Sequence, residues 1–166
     1  MLTVPALVLE AGPPSLPDPV GPGQTAGAAR RDDPVAGAYY EFMRGRQLED
    51  QGDVEGAIAA FQRAMKLDPR SADIPAEIAG LYARQSRVRD AIDASKAALA
   101  INPGHGEANR VLGSIYASLA ERDPNGVAPG GGQANYRQLA LDHLEKSLAS
   151  SSPITAAGVR LTIARM

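Results

Sequence analysis

Residues 57–69, AIAAFQRAMKLDP, and residues 91–103, AIDASKAALAINP, decide the fold because the second segment repeats the pattern of the first after 34 residues. Small residues fall on small ones, bulky apolar residues on bulky apolar ones, and proline on proline. Ala57, for example, falls on Ala91. Self-similarity at a fixed period of this length is typical of an array of stacked repeats, each of which buries its apolar face against the next.

The repeat extends beyond these two segments. The same shift carries Gly45 to Ala79 and then to Gly113. The third unit is interrupted, since Ala140 lies 49 residues after Ala91, which is 15 more than the period. The predicted organisation is three units at about 38–71, 72–105 and 106–152, with a loop insertion at 121–136, followed by one terminal helix at about 154–166.

Apolar residues recur every three or four positions within each unit. From Val54 to Met65 this spacing places six residues on one helical face. A similar stripe belongs to another helix of the same unit, so each unit is a helix–turn–helix pair. Pro69 and Pro103 follow the second helix of the first two units and end it, because proline cannot continue the hydrogen-bond pattern. The predicted fold class is all-α, an α-solenoid of about three such units plus one extra C-terminal helix.

Three of the repeated small residues, Gly45, Ala79 and Gly113, lie in the middle of predicted helices. Glycine there costs up to about 1 kcal/mol relative to alanine. We interpret the missing side chain as space that lets the second helix of the unit approach closely. Ala57 and Ala91 are then expected to form the small facing surface.

The first 36 residues differ in composition from the rest of the chain. They contain seven of the thirteen prolines, which exclude helix interiors and central strands, so we predict a disordered Pro/Gly-rich leader. Residues 1–9 have the length of a secretory h-region but lack a preceding basic segment. A cytoplasmic location is therefore favoured for a soluble chain. A periplasmic one is expected only if this N-terminus is a degenerate or misannotated signal.

Composition excludes several classes of function. Residues 37–166 contain 15 basic and 15 acidic side chains, which argues against nucleic-acid binding, because that requires a basic surface. The chain has no cysteine, so disulfides and thiolate chemistry are excluded. No stretch reaches the roughly 18 to 20 apolar residues that a membrane-spanning helix needs.

No sequence pattern indicates a catalytic centre or a metal site. The two histidines are interpreted as ordinary surface residues, His105 in an inter-repeat turn and His143 on an exposed helix face. Residues 130–132 are consecutive glycines, but no Gly-Lys-Ser/Thr follows them, so they do not form a phosphate-binding loop. We therefore predict neither enzymatic activity nor a cofactor.

From about residue 37 to 166 the pattern resembles the tetratricopeptide repeat (TPR) family, in particular its bacterial members. The structural repeat positions that carry this resemblance are Gly45, Ala57, Ala64, Pro69, Ala79, Tyr82, Ala91, Ala98, Pro103, Gly113, Tyr116 and Ala140. The chain departs from the family where an early tryptophan is usual, at Glu41, Pro75 and Asn109, and Ser95 stands in place of an aromatic residue. The resemblance implies a right-handed superhelix whose first helices line a concave groove.

The resemblance also implies that a peptide or partner protein binds in this groove and that the chain is a non-catalytic interaction scaffold. The groove positions implied by the register are Tyr39, Phe42, Arg46, Glu49, Asp73, Glu77, Arg84, Arg110 and Ser114. We expect Tyr39 and Phe42 to anchor the partner, because aromatic residues dominate interface energetics. Arg46 and Arg110 are expected to bind partner carboxylates. Part of the family clamps a C-terminal carboxylate, but Glu77 would repel one here, so we expect no such clamp.

Two alternatives remain open. The chain can be the front regulatory or docking part of a larger enzyme or envelope protein, because the helix at 154–166 begins a pair that it does not complete. It can also form a homo-oligomer through this uncapped helix. Leu161, Ile163 and Met166 are expected to leave apolar surface uncovered there, whereas solenoids usually end in a polar capping helix.

Overall fold

The computed structural model describes residues 33–126, 135–149 and 152–166. These residues form seven α-helices, and the prediction of an all-α fold is confirmed. The helices are α1 (Pro34–Asp50), α2 (Val54–Leu67), α3 (Asp73–Arg84), α4 (Val88–Ile101), α5 (Gly106–Arg122), α6 (Tyr136–Leu148) and α7 (Pro153–Arg165). The most extensive contacts pair α1 with α2, α3 with α4, and α5 with α6, and α7 packs on α5 and α6.

Two boundaries differ from the predicted ones. Helix α1 begins at Pro34, three residues inside the predicted leader, because Asp33 caps it and proline suits the first helical turn. Helix α5 continues to Arg122 and α6 starts at Tyr136, so the predicted insertion is narrower at both ends than residues 121–136. The rest of the predicted leader, residues 1–32, and the insertion's residues 127–134 lie outside the described residues.

The turns within the first two pairs adopt the same backbone conformation. Gly52 and Ser86, which are 34 residues apart, both have a left-handed φ, of 81° and 59°. At each turn the amide of the next residue donates to a carbonyl at the end of the first helix, Asp53 to Leu48 and Arg87 to Tyr82. The repeat therefore extends to the chain reversal, where glycine is favoured because its missing Cβ removes the steric cost.

The mid-helix glycines accommodate bulky side chains of the paired helix. A Cβ added to Gly45 would lie 2.6 Å from Cε1 of Phe61, and one added to Gly113 would lie 2.6 Å from Cγ of Leu144. Both of these side chains are fully buried. The prediction that Gly45 faces the small Ala57 is therefore wrong in detail, because the atoms nearest to it belong to the Phe61 ring. The close approach occurs, but a large side chain fills the space.

The second unit shows the inverse combination of sizes. Its register places Ala79 where the other units have glycine, and Ser95 where they have Phe61 and Leu144. Ala79 and Ser95 are both completely buried. A larger residue on the first helix thus coincides with a smaller one on the second.

In the part of the chain that the structure describes, no helix combines the length and apolar character needed to cross a membrane.

Candidate functional site

The first helices of the units, α1, α3 and α5, present a common face, which we call the first-helix groove. Ion pairs join α1 to α3 across it. Arg46 Nη1 lies 3.0 Å from Glu77 Oε2 on α3 and 3.4 Å from Glu49 Oε2 on its own helix. Glu49 in turn pairs with Arg84 at the end of α3. The register therefore brings together four of the predicted groove residues in one network.

Glu77 lies at the centre of this network. Burial raises the pKa of Glu77, Arg46 opposes that rise, and the nearby carboxylates Glu49 and Glu107 act in the same direction as burial. Because Arg46 donates a hydrogen bond to Glu77, the carboxylate is already partnered within the chain. That Glu77 repels a partner carboxylate stays a prediction.

The next arginine along the groove is also paired internally. Arg110 Nε donates to Glu107 Oε2 at 2.8 Å, and a second guanidinium nitrogen contacts the other carboxylate oxygen. The hydrogen bond to Glu107 raises the pKa of Arg110. Arg46 and Arg110 were both expected to bind partner carboxylates, and both have an acidic partner in the chain itself. Sequence reasoning missed Glu107, although the 34-residue shift places it at the position of Asp73.

The two predicted aromatic anchors differ in their surroundings. The ring of Phe42 packs on Phe61 at a centroid distance of 5.3 Å and borders the core of the first unit. Tyr39 is 67% exposed. It lines a cleft of about 250 Å³ beside α3, together with Val35 and Ile74. Tyr39 is therefore mostly exposed, whereas Phe42 lines the same cleft and also packs on the core.

Open clefts flank α5 on both sides. A cleft of about 630 Å³ separates it from α3, and the basic residues lining it are Arg84, Arg110 and Arg122. Another cleft, of about 540 Å³, lies between α5 and α7 and includes Ile154. Arg110 and Ser114 line both clefts. Arg122 and Ile154 were not among the predicted groove residues. Arg122 lies in the part of α5 that extends beyond the predicted helix. Ile154 follows the insertion, which displaces it from the 34-residue period.

Asp73, the remaining predicted groove residue, lies at the start of α3 and contacts the next unit. Its carboxylate is 2.9 Å from Nε2 of His105, and the other ring nitrogen of His105 accepts from the amide of Ala108 and caps α5. His105 is therefore a structural residue between two repeats, in the inter-repeat turn where the sequence places it.

His143 is not on an exposed face as predicted. Its Nδ1 lies 2.8 Å from Oδ1 of Asn109, and its ring stacks on Tyr116 at 5.9 Å between centroids. The amide nitrogen of Asn109 donates to the carbonyls of Pro103 and His105, so Nδ1 of His143 must be the donor to Oδ1. Burial lowers the pKa of His143, as does Lys146, with Asp142 opposing. The prediction that His143 is exposed is wrong. Asn109 stands where the family usually has a tryptophan, and this smaller side chain offers a hydrogen-bond acceptor to His143.

Within the described residues, no group of three or more His, Asp or Glu side chains is arranged to hold a metal ion. Charged groups of the groove occur instead as acid–base pairs, between α1 and α3 for Arg46–Glu77 and Arg84–Glu49 and within α5 for Arg110–Glu107.

Comparisons with known proteins agree with this architecture. A family model described as tetratricopeptide repeat matches residues 25–72 and 42–106. The BBSome complex member bbs-4 of Caenorhabditis elegans is 30% identical over 79 residues, which are 48% of this chain and 17% of that protein. The chain therefore spans about a sixth of the length of this relative.

Solved structures show the same fold at low sequence identity. The TPR domain of Arabidopsis OM64 superposes with a TM-score of 0.63 at 13% identity, covering 80% of this chain and 95% of that one. The first TPR of Spaghetti (RPAP3), solved with the HSP90 peptide SRMEEVD, superposes with a TM-score of 0.61 at 18% identity, covering 77% and 94%.

Proposed function

This chain is a tetratricopeptide repeat protein, and from that premise we propose that it is a non-catalytic scaffold that binds a peptide or partner protein in the first-helix groove. The observation that carries the proposal is the pair of open clefts on either side of α5, which share Arg110 and Ser114. A continuous surface of this kind suits an extended chain better than it suits a small molecule, which prefers an enclosed pocket.

The groove is formed by helices whose opposite faces are packed. Gly113 on α5, for instance, is held against Leu144 on α6. Little backbone freedom is therefore lost on the receptor side when a partner docks, and this favours binding. Similar domains are solved with short peptides, among them RPAP3 with SRMEEVD, which supports a peptide as the ligand class.

The internal ion pairs affect how a partner is recognised. Arg46 and Arg110 already have acidic partners within the chain, and exposed pairs of this type contribute only about 0 to 1 kcal/mol each. Charge therefore supplies selectivity, and apolar contacts such as those of Tyr39 supply most of the affinity.

The test is to select 12-residue peptides on the full chain by phage display and to measure their affinity by fluorescence anisotropy. Ser114→Trp fills the surface shared by the two clefts and is expected to weaken binding by at least about tenfold. Met43→Ser is the matched control, because Met43 is 47% exposed and does not line either cleft. Equal binding by Ser114→Trp and wild type would refute the proposal.

Self-association is a second candidate function, favoured by the exposure of Ile154 and Leu161 on α7. Sedimentation velocity over a range of concentrations tests it, and a persistent monomer would exclude it. The bacterial affiliation, the cytoplasmic location, the absence of nucleic-acid binding and a docking role within a larger enzyme or envelope protein stay predictions.

A further inference from the structure

Helix α7 begins in the same way as α5, in a register that is 47 residues later. His105 caps α5 by accepting from the amide of Ala108, and Ser152 caps α7 by accepting from the amide of Thr155, both at 3.3 Å. The two caps and their donors are each 47 residues apart. The caps of α5 and α7 therefore give a shift of 47 residues between these two helices.

Burial agrees with this shift at two positions. Asn109 and Leu112, which α5 turns inward, correspond to Ala156 and Val159, the two buried residues of α7. Two other buried residues of α5, Val111 and Gly113, correspond to the exposed Gly158 and Arg160, so the inward faces of the two helices match only in part.

The same shift pairs the groove residues Glu107, Arg110 and Ser114 of α5 with Ile154, Ala157 and Leu161 of α7. Ile154 is 88% exposed and Leu161 is 53% exposed. Ile154 lines the same cleft as Arg110 and Ser114, so the first-helix groove continues across α5 onto an apolar segment of α7.

The α5–α7 cleft joins the two kinds of surface. Its lining combines Glu107, Arg110 and Ser114 of α5 with Ile154 and Gly158 of α7. A Cβ added to Gly158 would meet no atom within 4 Å, so the space above the helix is open to a side chain of a partner.

An arginine without an ion pair among the described residues lies in the neighbouring cleft. Helix α7 contains Arg160 and Arg165 and no acidic residue, but neither arginine lines the α5–α7 cleft. Across α5, Arg122 lines the α3–α5 cleft and forms no ion pair within the described part of the chain. Among the described residues that line the α3–α5 cleft there is also no carboxylate.

From these observations we infer that α7 is the apolar end of the groove and that the partner is an extended peptide in which a bulky apolar side chain adjoins acidic residues. The apolar side chain occupies the α5–α7 cleft beside Ile154, and an acidic one reaches Arg122 in the α3–α5 cleft. Charge complementarity and continuity along α5 select this occupant. The inference rests on the proposed function, because it assumes that the groove binds a peptide.

The experiment uses fluorescein-labelled synthetic copies of 12-residue peptides selected by phage display on the full chain. The selected peptides are expected to pair a bulky apolar residue with Asp or Glu. The double variant Ile154→Ser/Leu161→Ser is expected to bind them at least about tenfold more weakly, because burial of one such side chain is worth that factor. Arg122→Gln is expected to weaken binding by about threefold to fivefold and to reduce its salt dependence.

Ile101→Ser is the matched control, since Ile101 is 40% exposed on α4 and lines neither cleft. Unchanged binding by the α7 double variant, with binding abolished by Ser114→Trp, would overturn the inference and leave the proposed function intact. Failure to select any peptide, or indifference to Ser114→Trp, would refute the proposed function itself. A wild-type dimer that the double variant converts to a monomer would show that α7 is a self-association face and would also overturn the inference.

Discussion

The ring of Phe61 on α2 occupies the space where Gly45 on α1 has no side chain, so closely that a Cβ at Gly45 would lie 2.6 Å from the ring. Gly113 and Leu144 have the same relationship in the third unit. This contact brings the helices of the first and third pairs close together.

Gly45→Ala is expected to lower the free energy of unfolding by about 1 to 3 kcal/mol, because the new methyl group overlaps Phe61 and α1 must shift. Urea unfolding followed by circular dichroism measures the change. Gly158→Ala on α7 is the matched control. Its Cβ enters open space, so it should stabilise the protein by up to about 1 kcal/mol through helix propensity. Equal effects of the two variants would contradict the proposed contact.

Ser95→Ala is expected to be neutral or to stabilise the protein by up to about 1 kcal/mol. Ser95 Oγ is buried and has no hydrogen-bond partner among the described residues, so its removal ends a desolvation penalty. Ser147→Ala is the control, because Ser147 Oγ donates to the carbonyl of Leu144 at 2.7 Å and its loss should destabilise. Thermal unfolding compares the two, and a larger loss for Ser95→Ala would refute the assignment.

Ser95→Phe tests the size relationship in the second unit. Alone, it should destabilise by about 1 to 3 kcal/mol through overpacking. Combined with Ala79→Gly, which recreates the pairing of Gly45 with Phe61, it should regain part of that loss. A double-mutant cycle measures the coupling between the positions. Strict additivity would show that Ala79 and Ser95 do not share the space that the register assigns to them.

The free energy of unfolding should fall in acid, partly because of the protonation of His143. Its pKa is lowered in the folded state, so the unfolded chain takes up a proton first as the pH falls through about 6.5. The contribution is therefore fully present above that pH and is lost below it, down to the folded-state pKa. His143→Gln should reduce the loss of unfolding free energy between pH 7.5 and 5, measured by urea unfolding, relative to wild type. His105→Gln is the control and should retain the His143 contribution.

The paired helices could be predicted from sequence because they depend on local periodicity, as in residues 54–65, and on a period that recurs. The details that depend on pairs of side chains could not. Whether Arg46 is free or bound to Glu77 depends on where two separate helices bring their side chains. His143 is polar and occurs at an apparently exposed position, and only its acceptor on Asn109 explains its partial burial.

The residues that α7 contributes to the α5–α7 cleft were not predicted, for another reason. The insertion changes the interval from α5 to α7 to 47 residues, so a search at 34 residues does not align Ile154 with Glu107. The signal was the cap. Ser152 precedes Pro153, and a serine before proline is a common start of a helix.

The central claim is that the first helices bind the partner and the second helices support them. Hydrogen–deuterium exchange of the full chain, with and without a saturating selected 12-residue peptide, tests it most directly. The account predicts added protection of backbone amides on α1, α3, α5 and α7 around Ser114 and Ile154. Side-chain footprinting of the same samples should show reduced accessibility at the same helices. Protection confined to the outer faces of α2, α4 and α6 would contradict it.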